Sequence, residues 1–278
     1  MFPCLLIFLV QLGILLSMPV EEPKDDQERL RIICPKDGNA CFTTGHETFG
    51  TIKEGDIITA IEQVLDGDDE NRNALISKER RWPRGVVPYI YHEHFSDNDK
   101  KRIEAAMAIL EKYTCIKFVP YKQGISDQMV VFITEESGCR ATVGYKLTRR
   151  RHNLNLNSKG CLGRTGTILH EMLHVLGLQH EHARPDRDSY VRIIWDNIED
   201  EHQKNFVKAR SKEYTTFGIP YNYASVMHYR AVSFSKNGKA TIIPTDPTVD
   251  IRVLGQRKKV TKLDLKKINI MYNCTEFL

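Results

Sequence analysis

The 278-residue chain has 41% hydrophobic and 27% charged residues and a formal net charge of +4. It is long enough to bury a sizeable core, and this balance excludes a disordered chain, a collagen-like repeat and a multispan membrane protein. The small total conceals two opposed segments: residues 19–72 carry 14 acidic and 6 basic side chains, a charge of −8, whereas residues 73–278 carry 22 acidic and 34 basic, a charge of +12.

Leu5 to Leu16 is apolar apart from Gln11 and Gly13, and Ser17, Met18 and Pro19 end the run. It is shorter than the roughly 20 residues that span a bilayer and fits the hydrophobic region of a secretory signal peptide. Residues 1–17 are therefore expected to be a signal peptide and the protein to be secreted, with no membrane span. Secretion makes disulfides the default for cysteine. Cys4 leaves with the leader, and Cys34, Cys41, Cys115, Cys139, Cys161 and Cys274 remain. No CxxC pair is present, which argues against a cysteine zinc site.

The acidic segment either docks on the basic one by complementary charge or is a solvated linker; charge alone leaves both open. Asp66-Gly67-Asp68-Asp69-Glu70-Asn71-Arg72 reads as an exposed loop, the kind that proteases cut. Beyond it, Val86, Val87, Tyr89, Ile90 and Tyr91 read as a strand interrupted by Pro88. Ser96 with Asp99 reads as a capping box opening a helix whose stripe is Ile103, Ala106, Met107 and Leu110. Val130 to Thr134 and the alternating Leu154 and Leu156 read as strands, Arg149-Arg150-Arg151 as a solvated loop, and Leu263 to Tyr272 as a closing helix. The domain is mixed, with its strands mostly early.

His170-Glu171-Met172-Leu173-His174 sets two histidines four apart, which on a helix places both imidazoles on one face. A catalytic zinc takes three protein ligands and keeps one position for water, so a third ligand is required. Gly177 can end the helix in a left-handed conformation and return the chain so that His180 approaches the metal. Glu171 then has the task of taking a proton from the attacking water, whose acidity zinc raises, and handing it to the leaving amine. His182 is a ligand by residue type only and reads as structural. Glu181, Arg184, Pro185, Asp186, Arg187 and Asp188 read as a polar, ion-paired run, and Met227 as core packing.

The pattern HExxHxxGxxH followed by a methionine turn resembles the metzincin zinc peptidases. Glu181 directly after the third histidine, Arg184-Pro185-Asp186-Arg187-Asp188 and Ser225-Val226-Met227-His228-Tyr229 resemble the astacin family in particular, over roughly residues 73–274. The resemblance implies an α+β fold, a mixed twisted sheet with long helices in two subdomains flanking an active-site cleft. It implies one Zn²⁺ on His170, His174 and His180, Glu171 as general base and acid, Met227 as the floor beneath the metal, and Tyr229 as an additional, displaceable ligand that donates to the oxyanion. It pairs Cys115 with Cys274 and Cys139 with Cys161. Cys34 with Cys41 is left as a small loop, an inference from the remaining count.

The same resemblance implies a zymogen, with residues 18–72 as prosegment and residues 73–278 as the catalytic domain. Lys53-Glu54-Gly55-Asp56 matches the family's Phe-x-Gly-Asp motif except that Lys53 replaces the aromatic, which makes Asp56 the inhibitory zinc ligand. Cleavage between Arg72 and Asn73 by an activating protease would create an N-terminus whose ammonium is held by Glu181. Leu178, where an aromatic is usual, and Leu173, where a smaller residue is common, are further departures. The implied activity is hydrolysis of internal peptide bonds of proteins, with substrate extended along an edge near residues 139–144. The partners are protein or peptide substrates, with no nucleic acid, and the chain is expected to be a monomer. A different reading, a secreted binding or toxin-like module that keeps the fold without activity, is disfavoured because His170, Glu171, His174 and His180 are all present. Asn273-Cys274-Thr275 is a glycosylation sequon.

Overall fold

The computed structural model describes residues 31–33, 42–44, 52–53, 55–58, 78–124, 126–134, 137–209 and 215–278. The expected signal peptide, Cys34, Cys41, the acidic loop at 66–72 and the Arg72–Asn73 boundary lie outside the described residues. Strands β1 (Arg31–Ile33) and β2 (Phe42–Thr44) form an antiparallel pair, with Ile33 opposite Phe42.

The main sheet has seven strands: β3 (Ile52–Lys53), β4 (Ile57–Ile58), β5 (Val86–Tyr91), β6 (Lys117–Pro120), β7 (Met129–Ile133), β8 (Cys139–Thr142) and β9 (Arg151–Leu156). Their order is β3-β4-β8-β9-β7-β5-β6. β9, β7, β5 and β6 run parallel to one another and β8 runs antiparallel to β9. All five residues of the central β7 are buried, as expected of a strand covered on both faces. Pro88 lies opposite Val119 and one residue ahead of Tyr89, where pairing with β7 begins. Its missing N–H thus falls outside the stretch of β5 that is paired on both sides. β7 starts and ends one residue ahead of the expected span, at Met129 and Ile133, Arg151 opens β9 instead of lying in a loop, and the closing helix starts one residue early, at Lys262.

Helix α1 (Asp97–Tyr113) begins with the expected capping box, Ser96 Oγ accepting from Asp99 N–H and the Asp99 carboxylate accepting from Ser96 N–H, and it buries Ile103, Ala106, Met107 and Leu110. Helix α2 (Thr165–Val175) is buried along nearly its whole length. Helix α3 (Lys262–Tyr272) closes the fold under a second capping box, Thr261 with Asp264. A large apolar cluster joins the sheet to α1, α2 and α3 through Trp82, Phe132, Leu154, Ile168, Leu173 and Ile268. A smaller one, built on Val191, Ile198, Phe206, Tyr221, Tyr229 and Ile242, lies under the two-stranded pair β10 (Val191–Ile193) and β11 (Ile242–Pro244). A mixed sheet packed against helices is the α+β arrangement that the motifs imply.

Both disulfides expected within the globular region are present. Cys115–Cys274 closes a separation of 159 residues and ties the end of α1 to the end of α3. Cys139–Cys161 ties the start of β8 to the segment before α2. Long closed loops restrict the unfolded chain most, so the first bridge carries the larger entropic effect. Among the described residues no helix is long and apolar enough to cross a membrane.

Candidate metal centre

Helix α2 presents His170 and His174 from one face, and its end is set by Gly177 (φ 104°). Leu178 N–H donates to Leu173 O at 2.9 Å and Gly177 N–H to His174 O at 2.8 Å, the paired bonds of a left-handed helix stop. A side chain at 177 would be strained there. The reversal delivers His180, and the three imidazole centroids lie 4.7, 4.8 and 5.3 Å apart. Two rings are oriented by carbonyls that can only accept: His170 Nδ1 donates to Val226 O and His174 Nδ1 to Leu178 O, each at 2.8 Å. Nε2 is thereby left as the ligating nitrogen. At Leu178 the backbone carries this contact, so the departure from an aromatic leaves it intact.

The fourth donor comes from the N-terminal segment. Asp56 Oδ2 lies 3.1 Å from His170 Nε2 and 3.2 Å from His180 Nε2, and Oδ1 lies 3.8 Å from His174 Nε2. Ligands held tetrahedrally at about 2.0–2.1 Å from zinc are about 3.3 Å from one another, so the four donors fit one such ion. The orphaned atoms agree with this fit, because Asp56 Oδ1, His174 Nε2 and the Glu171 Oε2 beside them are buried without a hydrogen-bond partner. Burial works to raise the Asp56 carboxyl, but the three imidazoles hold it well below its ordinary value. Burial lowers His170 to about 4, helped by the Arg257 charge, and lowers His174 as well; neutral imidazole is the form that binds metal. Burial and then the Asp56 charge raise the Glu171 carboxyl well above its usual range, while Arg257 and Arg140 oppose them.

Asp56 is held in place by its backbone. β4 pairs in parallel with β8, Ile57 opposite Ala141, and Asp56 O accepts from Ala141 N–H at 2.9 Å. Gly55 (φ 82°) turns the chain against Phe234, whose ring tip would stand 2.8 Å from a Cβ at that position. The aromatic packing at this turn is therefore supplied by Phe234, while Lys53 sits on β3 opposite Ile57.

Glu181 is fully buried and already paired. Lys267 Nζ donates to Oε2 at 2.7 Å, and Arg184 Nη1 and Asn222 N–H donate to Oε1 at 2.9 and 3.0 Å. Burial raises this carboxyl, but Lys267 and Arg184 overcome it and the net effect is a lowered value. A depressed carboxyl stabilises the fold fully above its ordinary value of 4.5 and loses that contribution as pH falls through the folded value. Breaking a buried pair costs about 3–5 kcal/mol when the remaining charge is left uncompensated; Arg184 and Asn222 N–H still hold Glu181, so Lys267→Met is expected to lower the urea midpoint at pH 7 by less than that figure implies. The deficit should narrow at acid pH; a midpoint unchanged at pH 7 would show the contact to be dispensable.

Met227 is buried, and its carbonyl accepts from Glu181 N–H at 3.0 Å, joining the methionine turn to the segment after His180. Tyr229 lies with its ring centroid 4.6 Å from that of His180 and stacks on His182 at 3.8 Å. His182 stays outside the metal group and faces Asn205 O at 3.0 Å, in keeping with a structural role. Three contributors are not apparent from the motifs. Asp264 accepts from Ser225 Oγ (2.5 Å) and Val226 N–H (3.2 Å), fixing the carbonyl that orients His170. Arg257 Nη1 donates to His228 O at 3.1 Å, and its charge reaches Asp56, Glu171 and Tyr229. Lys267 is the third. Only Asp264 carries a sequence signal, the capping-box spacing from Thr261.

The family model for the astacin peptidases matches residues 74–273. This chain belongs to the astacin family. It is 36% identical over 235 residues to zinc metalloproteinase nas-14 of Caenorhabditis elegans, covering 81% of this chain and 46% of that one. Seminal metalloprotease 1 of Drosophila melanogaster is 35% identical over 210 residues, covering 74% of this chain and 82% of the relative. Among solved structures, high choriolytic enzyme 1, a hatching enzyme zinc-protease from the medaka Oryzias latipes, matches with a TM-score of 0.62 and 35% identity, over 70% of this chain and 93% of that one. The astacin chain spans about half the length of several of the curated relatives it matches. Its three histidines and Asp56 form a donor set suited to the zinc that the astacin metalloproteinases use.

Proposed function

We propose that this astacin is a secreted zinc endopeptidase made as a zymogen, with residues 1–17 as signal peptide, 18–72 as prosegment and 73–278 as catalytic domain. The observation that carries the reading is the convergence of three imidazoles, two of them oriented by backbone carbonyls, beside the buried, unpartnered Glu171 Oε2. When bound, zinc polarises the scissile carbonyl and acidifies water. Glu171 would take the water proton and pass it to the departing nitrogen; removal of Asp56 takes away one of the two influences that raise its carboxyl, the other being burial. Tyr229, whose ring centroid lies 4.6 Å from that of His180, would supply an additional, displaceable zinc ligand and would donate to the oxyanion. The test is cleavage of casein by protein beginning at Asn73; it should vanish with a chelator and return with zinc.

Asp56 would hold the zymogen silent by supplying a fourth donor beside the three histidines. The family match begins at residue 74, which supports cutting between Arg72 and Asn73. Mass-spectrometric mapping of active material is expected to find Asn73 first. Because Glu181 is already neutralised by Lys267 and Arg184, the new ammonium joins an existing ion cluster instead of filling an empty partner site. Cys34 and Cys41 adjoin the last paired positions of β1 and β2 in the sequence, which supports a bridge between them. Asn273 is exposed at the end of α3 and is the glycosylation candidate.

Tyr229→Phe is expected to lower kcat by about 10²-fold, the effect of removing one oxyanion donor, with KM little changed. An unchanged kcat removes that role. The Arg140 and Arg257 charges felt by Glu171 suit acidic substrate residues, and a peptide library should show Asp or Glu enriched around the cut. Absence of that enrichment would count against charge selection.

A further inference from the structure

A second group of metal-ligating side chains lies away from the three histidines of α2. β5 ends at Tyr91, three strands along the sheet from β8, and His92, Glu93 and His94 follow it. His92 N–H donates to Phe132 O at 2.8 Å, continuing the ladder between β5 and β7, and His92 O accepts from Phe95 N–H at 3.4 Å across a turn. Phe95 is buried in the core and Ser96 caps α1. The tripeptide is thus held between a strand end and a helix start, the rigid setting that a preformed site requires.

The turn brings the two imidazoles together. Their centroids are 4.9 Å apart and their Nδ1 atoms 3.1 Å apart, close to the roughly 3.3 Å edge of a tetrahedral zinc shell. One ligand atom each from His92, Glu93 and His94 falls within 4.8 Å of the others. His92 is 6% exposed, while the side chains of His94 and Glu93 are 46% and 57% exposed. Glu93 Oε1 lies 3.9 Å from His94 Nε2, so the carboxylate stands beside the imidazole pair, and water can fill the remaining positions. Another trio among the described residues, Glu199, Glu201 and His202, offers a single imidazole that is ion-paired with both carboxylates at 3.3 and 3.4 Å. Paired imidazoles with one carboxylate suit zinc and copper, whereas one imidazole between two carboxylates is the poorer set for them.

We propose that His92, Glu93 and His94 form a second divalent transition-metal site, separate from the His170, His174 and His180 centre, that clips the end of β5 to the start of α1. The test is equilibrium dialysis of the full chain against Zn²⁺ with metal analysis, on wild type, His94→Gln and His202→Gln. Two equivalents are expected in wild type and His202→Gln, and one in His94→Gln. His94 is half exposed, so its variant should fold, and near-ultraviolet circular dichroism checks this. Cu²⁺ added to the zinc-loaded His94→Gln chain should lack the two-imidazole nitrogen hyperfine pattern seen in wild type by electron paramagnetic resonance. One equivalent in wild type would leave the 3.1 Å contact as a plain imidazole hydrogen bond and overturn the proposal. A second equivalent that persists in His94→Gln would overturn it too.

Discussion

Glu171→Gln is expected to reduce casein cleavage by about 10²–10⁴-fold, the range for loss of a general base, while the protein still binds zinc. Glu171 lies outside the four-donor group, so its replacement leaves His170, His174, His180 and Asp56 in place. The amide is nearly isosteric and removes a buried charge, whose desolvation is the main reason the carboxyl is raised. Stability should therefore hold or increase. Zinc content by metal analysis, thermal midpoint and kcat/KM together make the test. Loss of zinc along with activity would mean that Glu171 acts on the metal site itself, and retained activity would end its assignment as base.

Asp56→Ala in the uncleaved chain is expected to raise activity on the order of 10²-fold over the uncleaved wild type, since a tethered ligand acts at high effective concentration. The increase should stop short of the processed enzyme. β4 would still pair with β8 and Gly55 would still pack against Phe234, so the edge strand remains covered when the carboxylate is gone. A silent Asp56→Ala chain that becomes active once cut at Arg72 would assign latency to strand pairing and not to coordination.

The capping box at Ser96 and Asp99, the stripe of α1 and the histidine spacing were legible because each follows from local periodicity. The strands were legible in position but not in order, because nothing in Val130 or Leu154 states which strand lies beside which. The Lys53 departure looked like a missing anchor, yet the structure places Phe234 at that turn, far along the chain from Gly55. Glu181 was legible as a residue needing a cation, and two cations, Lys267 and Arg184, already fill that need.

The sequence by itself determined the zinc-type donor set, its helix, the Gly177 stop and the two disulfide partners that the family pattern implies. Those features depend on residue type at short spacing, or on a motif specific enough to carry its context. Only the tertiary structure decided that the N-terminal segment adds two strands to the sheet edge, that Phe234 packs at the Gly55 turn beside Asp56, and that Asp264, Arg257 and Lys267 support the site. The physical reason is sequence separation. Lys267 lies 86 residues from Glu181 and Asp264 lies 38 from Val226, and contacts at that range are set by how buried surfaces pack, which no local pattern encodes.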